Sequence, residues 1–237
     1  MADVLLEVQA LKAGYGKKTV LHSVSFHVEA GEVVTLLGHN GAGKTTTLKA
    51  ILGLLPAWAG EVRIAGRAWA NADPAENVHR GVALVPQGRG VFPDLTVMEN
   101  LAIGAYTQDD RTAVRRRLDE ILDLFPALAE RRNQNVGTLS GGQQQMVAVG
   151  SALMQRPRLM MMDEPSIGLA PIVVQRVLET ASQINRQFGT AILLVKQNIK
   201  TALAMASRAY VMKSGRIVLE KRAAELLAAQ DSWWELY

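Results

Sequence analysis

The fold is decided by the stretch Gly38-His39-Asn40-Gly41-Ala42-Gly43-Lys44-Thr45. A glycine, four further residues and then Gly-Lys-Thr is the spacing of a loop that binds phosphate. Residues 33–37, before the loop, are apolar and β-prone, which predicts a buried strand. Residues 45–54, after it, have the apolar spacing of a helix. A strand, a glycine loop and a helix in this order predict an α/β fold that binds a nucleotide.

The chemistry of such a loop follows from its backbone and from two side chains. The glycines let successive N–H groups point inward, and the helix start adds about half a positive charge. We expect Lys44 to reach the terminal phosphates and the Thr45 hydroxyl to ligate Mg²⁺. The alternative is an ordinary glycine turn before a helix, which the strand–loop–helix context disfavours.

Composition narrows the class of protein. The 237 residues include 49% hydrophobic and 20% charged residues, which is typical of a folded domain, and they suffice for one large or two small domains. Because cysteine is absent, disulfides and thiolate metal sites are excluded. The net charge of +4 is too small to argue for nucleic acid as a partner. With no long apolar run and no signal pattern at the N-terminus, we expect a cytoplasmic protein without a membrane span.

The first third of the chain predicts a small antiparallel sheet. Residues 5–11, 20–28 and 61–65 are β-like, and Gly14-Tyr15-Gly16 is the predicted turn between the first two runs. Tyr15 either covers the edge of this sheet or stacks on the adenine of a nucleotide.

The middle of the chain predicts a helical insertion in the core. Residues 82–85 form another buried strand, which ends at Pro86-Gln87-Gly88. From there to about residue 140, Thr96 and Glu99 form a capping box, and residues 111–125 are amphipathic. The run of arginines at 115–117 is either a solvated face or a partner contact.

Beyond the insertion, the patterns of the α/β core resume. The predicted elements are helices over 141–155, 171–188 and 223–230, strands over 159–162 and 191–195, and a hairpin over 210–219. The fold class is therefore α/β: a phosphate-loop core with a mainly parallel sheet, an N-terminal antiparallel β subdomain and an inserted α-helical subdomain. We expect one domain over 1–237, with the hairpin and last helices at 208–237.

Two acids, Asp163 and Glu164, follow a buried strand at the edge where open α/β sheets bind ligands. Adjacent residues of a strand point to opposite faces, so we expect the two to differ in function. Asp163 is predicted to join the Mg²⁺ shell beside Thr45, and Glu164 to polarise the water that attacks the terminal phosphate. The alternative is a strand end with two solvated acids.

A second glycine element, Ser140-Gly141-Gly142-Gln143, opens another predicted helix. Ser140 and Gln143 have capping-box spacing, but each glycine in a first helical turn costs about 1 kcal/mol relative to alanine. Bare N–H groups at a helix start bind anions. Since one nucleotide cannot comfortably occupy both elements of a single chain, the sequence predicts a head-to-tail dimer with ATP between one subunit's loop and the partner's Ser140-Gly141-Gly142.

Together, these motifs resemble the ATP-binding subunits of ABC transporters, essentially from end to end. The resemblance rests on the phosphate loop, Gln87, the run Leu139-Ser140-Gly141-Gly142-Gln143 and Met162-Asp163-Glu164-Pro165. Residues 86–101, 163–171, 195–198 and 210–220 are similar to the subgroup that powers branched-chain amino acid importers. Urea importers have closely related ATPases.

The resemblance implies a role for each matching residue. It implies that Tyr15 stacks on adenine, and that Gln87, a hinge to the helical insertion, senses Mg²⁺ and the attacking water. It implies that residues 87–101 face a membrane permease, with Val91 and Phe92 either flooring its groove or packing as a satellite of the core. The implied catalytic residues are Glu164, Gln197 and Gln87; the metal residues are Thr45, Gln87 and Asp163; the nucleotide residues are Tyr15, Val20, Gly38, His39, Asn40, Gly41, Ala42, Gly43, Lys44, Thr45 and Thr46; and those that act across the dimer are Ser140, Gly141, Gly142 and Gln143.

Three positions depart from the family pattern. Gln197 stands where a histidine is expected, and an amide donates to phosphate but carries no proton near pH 7. Ala170 replaces an aspartate that reaches across the dimer in many relatives. Lys196 stands where the amino acid subgroup more often has an acid; it is either a solvated strand end or a partner of Glu164 or of a phosphate.

The sequence thus predicts an ATPase subunit that powers an ABC importer for branched-chain or other amino acids, with ATP and Mg²⁺ as cofactors. Alternatives are the ATPase of a urea or amide importer, that of a lipid or polysaccharide exporter, and a non-transport ABC ATPase. The expected partners are a second copy or a paralogous ATPase, membrane permeases and, indirectly, a solute-binding protein, at the cytoplasmic side of the plasma (inner) membrane. The role of Trp233, Trp234 and Tyr237 stays open.

Overall fold

The computed structural model describes residues 3–68, 73–88, 90–165 and 171–229. Arg89, Ala170 and the aromatic residues after 229, which the sequence singled out, lie outside these ranges. The strands are β1 (Val4–Tyr15), β2 (Lys18–Glu29), β3 (Val33–Leu37), β4 (Ala57–Ile64), β5 (Arg67–Ala68), β6 (Val82–Val85), β7 (Leu159–Asp163), β8 (Ala191–Lys196), β9 (Arg208–Lys213) and β10 (Arg216–Arg222). The helices are α1 (Lys44–Leu52), α2 (Pro74–His79), α3 (Val97–Gly104), α4 (Arg111–Leu124), α5 (Pro126–Ala129), α6 (Gly141–Leu153), α7 (Pro171–Phe188), α8 (Ile199–Leu203) and α9 (Ala223–Ala228).

The central sheet has the strand order β10-β9-β3-β8-β7-β6, and only β10 pairs antiparallel. Every residue of β3, β7 and β8 is buried. Continuous apolar runs of this kind are typical of parallel strands that are covered on both faces. The buried strands predicted from residues 33–37, 82–85, 159–162 and 191–195 are confirmed.

The N-terminal sheet has the order β2-β1-β4-β5 and is antiparallel, as predicted. Its strands are longer than the alternation indicated, because Tyr15 still pairs with Lys18 at the end of β1. The predicted turn at Gly14-Tyr15-Gly16 is therefore wrong, and the chain reverses at Gly16-Lys17 instead.

Two hydrophobic clusters lie on opposite faces of the central sheet. One face packs against α1 and the N-terminal sheet, with Leu36, Ile51 and Leu193 among its members. The other face packs against the helices between β6 and β9, with Leu194 and Leu203 among its members. The helix α1 ends at Leu52, two residues before the predicted end, because Gly53 takes a left-handed conformation with φ of 85°.

The segment between β6 and β7 is helical, and its capping box at Thr96 and Glu99 is confirmed. On α4, Arg115 and Arg116 are exposed, which fits a solvated face. Arg117 is only 4% exposed, so the solvated interpretation is wrong for this residue. Its guanidinium donates to the Leu153 carbonyl at 3.0 Å and lies 4.3 Å from the centre of the Phe188 ring, which ties the insertion to the core.

The C-terminal hairpin is confirmed, but it is not a separate addition, because β9 pairs in parallel with β3. The hairpin also contacts the glycine loop: the Gly215 N–H donates to the Ala42 carbonyl at 2.8 Å, and the His22 N–H donates to the Gly215 carbonyl at 2.8 Å. The turn therefore lies between the N-terminal sheet and the loop. Among the described residues, no helix has both the length and the apolar composition needed to cross a bilayer.

Candidate functional site

A cavity of about 500 Å³ opens at the carboxyl ends of the parallel strands, where the sequence placed the site. It collects side chains from the glycine loop, from the ends of three strands, from β2 and from the turn of the C-terminal hairpin. The lining residues are Lys18, Thr19, Val20, His22, Asn40, Gly41, Gly43, Lys44, Thr45, Thr46, Gln87, Glu164, Gln197 and Ser214.

The glycine loop connects β3 to α1, as predicted. Lys44 begins the helix and is only 6% exposed, yet it lines the cavity. Its ammonium donates to the Gly38 carbonyl at 2.7 Å and to the His39 carbonyl at 3.1 Å. Burial lowers the pKa of Lys44, while the nearby carboxylates of Glu164 and Asp163 oppose this shift. The loop carbonyls thus hold the ammonium inside the glycine loop, at the place where phosphate oxygens are expected.

Asp163 ends β7 and is 3% exposed. Burial raises the pKa of its carboxyl group, against the effects of a hydrogen bond from the Thr45 side chain and of the Lys44 charge. Its Oδ1 is buried and has no hydrogen-bond partner among the described residues. A buried carboxylate oxygen that lacks a donor, next to a threonine hydroxyl, fits a hard divalent cation such as Mg²⁺.

Glu164 follows directly and faces the cavity. Its N–H donates to the Val195 carbonyl at 3.0 Å, and its φ is 45°, so the chain leaves the strand abruptly here. The carboxylate accepts a bond from the Gln197 backbone and lies 3.9 Å from the Lys44 ammonium. Burial raises the pKa of this carboxyl group, and its Oε1 has no hydrogen-bond partner among the described residues. Of the two adjacent acids, only Glu164 lines the cavity, in agreement with different functions for the two.

Two amides reach the same cavity from neighbouring strand ends. Gln87 lies just after β6 and Gln197 just after β8, and both are exposed. The Gln197 side-chain N–H₂ donates to Oδ1 of Asn40 in the glycine loop. The structure therefore brings Gln87, Glu164 and Gln197, which are far apart in sequence, to one side of the loop.

Several lining residues were missed by the sequence reasoning. Val20 lines the cavity as predicted, but so do Lys18, Thr19 and His22 of β2 and Ser214 of the hairpin turn. The position of His22 could have been predicted, since alternate residues of a strand lie on the same face and His22 is two residues after Val20. No local pattern in the sequence marks Ser214.

Tyr15 is not among the residues that line the cavity. Its ring is 47% exposed and lies 6.0 Å from the Lys49 ammonium, measured to the ring centre. Both alternatives for this side chain, edge cover and adenine contact, stay predictions.

The second glycine element is a capped helix start, as predicted. The Ser140 side chain accepts from the Gln143 N–H at 3.4 Å, and the Gln143 side chain accepts from the Ser140 N–H at 3.0 Å. A Cβ on Gly142 would lie 2.4 Å from Cγ1 of Val173, so close packing against α7 already requires this glycine. None of Ser140, Gly141, Gly142 and Gln143 lines the cavity of its own chain.

Burial bears on the alternatives left open for Lys196, Val91 and Phe92. Lys196 is only 2% exposed, so its interpretation as a solvated strand end is wrong. Val91 is half-buried and packs against the core, whereas Phe92 is 52% exposed.

Comparison with known proteins agrees with this geometry. Residues 21–167 match the family model described as ABC transporter. The chain is 44% identical over 223 residues to the high-affinity branched-chain amino acid transport ATP-binding protein BraG of Pseudomonas aeruginosa, covering 94% of this chain and 95% of the relative. A nucleotide-free ATP-binding cassette from an ABC transporter superposes with a TM-score of 0.87 at 27% identity, covering 99% of this chain and 98% of the other.

The dimeric cassette MJ0796, a bacterial ABC transporter cassette, superposes with a TM-score of 0.81 at 25% identity, covering 92% of this chain and 99% of the other. The motifs, the α/β fold and these similarities agree with one another along nearly the whole chain. The chain therefore belongs to the ABC transporter family, as an ATP-binding subunit that couples ATP hydrolysis to transport.

Proposed function

We propose that this chain is the ATPase subunit of an importer for branched-chain or related amino acids. The observation that carries the ATPase assignment is the single cavity in which the phosphate loop meets Gln87, Glu164 and Gln197. The substrate class rests on the similarity to BraG, a branched-chain amino acid transport protein, over 94% of the chain.

Phosphate binding begins at Lys44. Its ammonium is bonded to the carbonyls of Gly38 and His39, so it is pre-positioned across the mouth of the loop. When ATP enters, the ammonium turns to the terminal phosphates, and the loop N–H groups at the start of α1 hold the phosphate oxygens. Asn40 and Thr46 line the same cavity and flank the phosphates.

Thr45, Gln87 and Asp163 are the residues that would hold Mg²⁺ beside the phosphates. The unpartnered Oδ1 of Asp163 and the hydrogen bond that the Thr45 side chain donates to the Asp163 carboxylate support this set. Bound Mg²⁺ neutralises charge on the phosphate oxygens during transfer.

Glu164 orients and polarises the attacking water. Its carboxylate faces the cavity and already accepts a bond from the Gln197 backbone, so it is fixed relative to the loop. The Gln197 amide, which donates to Asn40 in this structure, is positioned to donate to the terminal phosphate. Catalysis of this kind depends mainly on positioning and charge stabilisation.

The second half of each site comes from another subunit, either a second copy of this chain or a paralogous ATPase. Ser140, Gly141, Gly142 and Gln143 form a capped helix start that lies outside the cavity of their own chain. In a head-to-tail dimer this helix start would face the partner's ATP. The dimeric assembly of MJ0796 supports this arrangement.

Residues 87–101 are the proposed contact with the permease, at the cytoplasmic face of the membrane. The segment begins at Gln87 in the cavity and runs past the exposed ring of Phe92 to the capped helix α3. One continuous segment of the chain would therefore connect the phosphate site to the contact with the membrane subunits. A solute-binding protein would deliver the amino acid to them.

The test is transport by the assembled system in proteoliposomes, with the chain co-expressed with its neighbouring permease genes and solute-binding protein. We expect ATP-dependent uptake of labelled leucine, at least about 100-fold slower hydrolysis and no uptake in Glu164→Gln, and no ATP binding in Lys44→Ala. Uptake of urea instead of leucine would overturn the substrate class. Unchanged hydrolysis in Glu164→Gln would overturn the catalytic assignment.

A further inference from the structure

Lys196 is a buried lysine at the last position of β8. Only 2% of the residue is exposed, and it is among the largest fully buried side chains of the protein. A charged group is costly to bury unless an opposite charge compensates it, so the ionised neighbours of Lys196 define what it does.

The sheet register sets Lys196 beside Glu164. Asp163 of β7 pairs with Val195 of β8, so the next residues along both strands are Glu164 and Lys196. The Glu164 N–H continues the ladder with a bond to the Val195 carbonyl at 3.0 Å. The Glu164 carboxylate accepts a hydrogen bond from the backbone of Gln197, the residue that follows β8.

Two lysines therefore interact electrostatically with one carboxylate. Lys44 lies 3.9 Å from Oε1 of Glu164 and lines the cavity, whereas Lys196 does not line it. Burial lowers the pKa of Lys196, and the charge of Glu164 is the interaction that opposes this shift. Coulomb attraction is stronger at such a buried position than at the surface.

ATP changes this balance. In the proposed function, Lys44 turns toward the phosphates when the nucleotide enters and so moves away from Oε1 of Glu164, an atom that has no hydrogen-bond donor among the described residues. Lys196 keeps its place, because its backbone pairs with Leu37 in the sheet and its side chain does not line the cavity. Lys196, at the end of β8, is then the lysine that still interacts with the Glu164 carboxylate.

We propose that Lys196 is a positioning residue for ATP hydrolysis, a fixed cation behind the sheet edge that holds the Glu164 carboxylate in its working orientation once Lys44 has turned to the nucleotide. This inference rests on the proposed function of Glu164. The inference goes beyond that proposed function, because it gives a role to a residue that does not line the nucleotide cavity.

The first experiment compares Lys196→Met, which keeps the length and removes the charge, with Lys196→Arg, which keeps the charge. Lys200→Met, on the exposed side of α8, is the matched control. We expect kcat for ATP hydrolysis to fall about tenfold in Lys196→Met with KM for ATP within about twofold, and Lys196→Arg to recover most of kcat. The melting temperature of Lys196→Met should be equal to or above that of the parent, because a desolvated charge is removed.

A purely structural lysine gives a different result. Loss of kcat together with a lower melting temperature in both variants, or unchanged kcat in Lys196→Met, overturns the proposal. A lower kcat with an unchanged KM and an undiminished melting temperature is the result that a purely structural role would not produce.

A double variant separates this inference from the proposed function. In a Glu164→Gln background, Lys196→Met should cause no further loss of hydrolysis, because the carboxylate that it positions is gone. A further tenfold loss in that background would show that Lys196 acts elsewhere. If Glu164→Gln alone leaves hydrolysis intact, it is the role of Glu164 that fails.

Discussion

At the scale of single residues, the site contains three ionisable groups that burial disfavours in their charged forms. Burial lowers the pKa of Lys44 and raises the pKa values of Asp163 and Glu164. Two carboxylate oxygens among them have no hydrogen-bond partner in the described part of the chain. Burial of such groups in their charged forms opposes folding when no ligand compensates the charges.

Replacement of Glu164 by glutamine should therefore stabilise the nucleotide-free protein. Because burial raises its pKa, the folded state binds the Glu164 proton more tightly than the unfolded chain does. The contribution of this group to stability is intact below the ordinary glutamate pKa of about 4.3 and is lost as the pH rises through the window above it. We expect the free energy of unfolding of Glu164→Gln to exceed that of the parent by about 1 kcal/mol at pH 7.

Urea denaturation of both proteins between pH 4 and pH 8 checks this. The difference between them should narrow toward pH 4, where the glutamate in both states holds its proton. A difference that is independent of pH, or a glutamine variant that is less stable at pH 7, would contradict the assigned direction of the pKa shift.

At the scale of secondary-structure elements, the phosphate loop is supported from outside its own strand and helix. The hairpin turn at Ser214-Gly215 bonds to Ala42 of the loop and to His22 of β2. Arg208 on the same hairpin donates to carboxylates of Glu29 and Glu32 at 2.9 Å, which joins β9 to the N-terminal sheet. A segment far along the chain thus fixes the loop in position.

Gly215→Ala should disrupt this support. Gly215 has φ of 73°, and a Cβ there would lie 1.9 Å from the backbone oxygen of Val20. We expect a loss of about 3 kcal/mol or more in the free energy of unfolding, and ATP binding weaker by about tenfold or more, measured by urea denaturation and calorimetric titration.

Gly66→Ala is the matched control, because Gly66 is also the second residue of a two-residue hairpin turn with positive φ, here 74°, and nothing lies within 4 Å of its Cβ position. It should cost only about 1–2 kcal/mol of backbone strain and leave ATP binding unchanged. Equal effects of the two substitutions would refute the support of the loop by the C-terminal hairpin.

At the scale of the whole molecule, the two helix starts that were predicted to bind anions lie in different places relative to the cavity. The start of α1 lines the cavity of its own chain, and the start of α6 does not. One glycine of the second element, Gly142, is explained by its packing against Val173. The proposed contact with the nucleotide of a partner subunit therefore rests on Ser140, Gly141 and the exposed end of α6.

Ser140→Arg should abolish ATP-induced dimerisation in a Glu164→Gln background. The long charged side chain would occupy the space of the partner's phosphates, whereas ATP binding to the monomer depends on the other helix start and should persist. Light scattering with saturating ATP measures the mass, and the parental Glu164→Gln protein should be a dimer.

The control accounts for the lost helix cap, which costs about 1 kcal/mol by itself. Thr96→Ala removes the corresponding cap of α3 and should leave the dimer intact. A Ser140→Arg protein that still dimerises with ATP would place the interface elsewhere.

Features that depend on neighbours along the chain could be predicted from the amino-acid sequence. The strand, loop and helix around Lys44, the buried strands β3 and β6, and the capping boxes at Thr96 and Ser140 follow from periodicity and local hydrogen bonding, and all are confirmed. The functional residues of the loop and of the strand ends were also identified from local motifs and stay predictions as to their roles.

Which distant residues share a surface could be seen only once the chain was folded. Folding incorporated β9 into the parallel sheet, placed His22 and Ser214 at the cavity, and buried Arg117 and Lys196. The reason is physical: the burial of a side chain at the end of a strand is set by the strands and helices that flank it, and these come from other parts of the chain. A local sequence pattern predicts that a charged residue such as Lys196 is exposed. Only the sheet register shows that Lys196 lies next to Glu164.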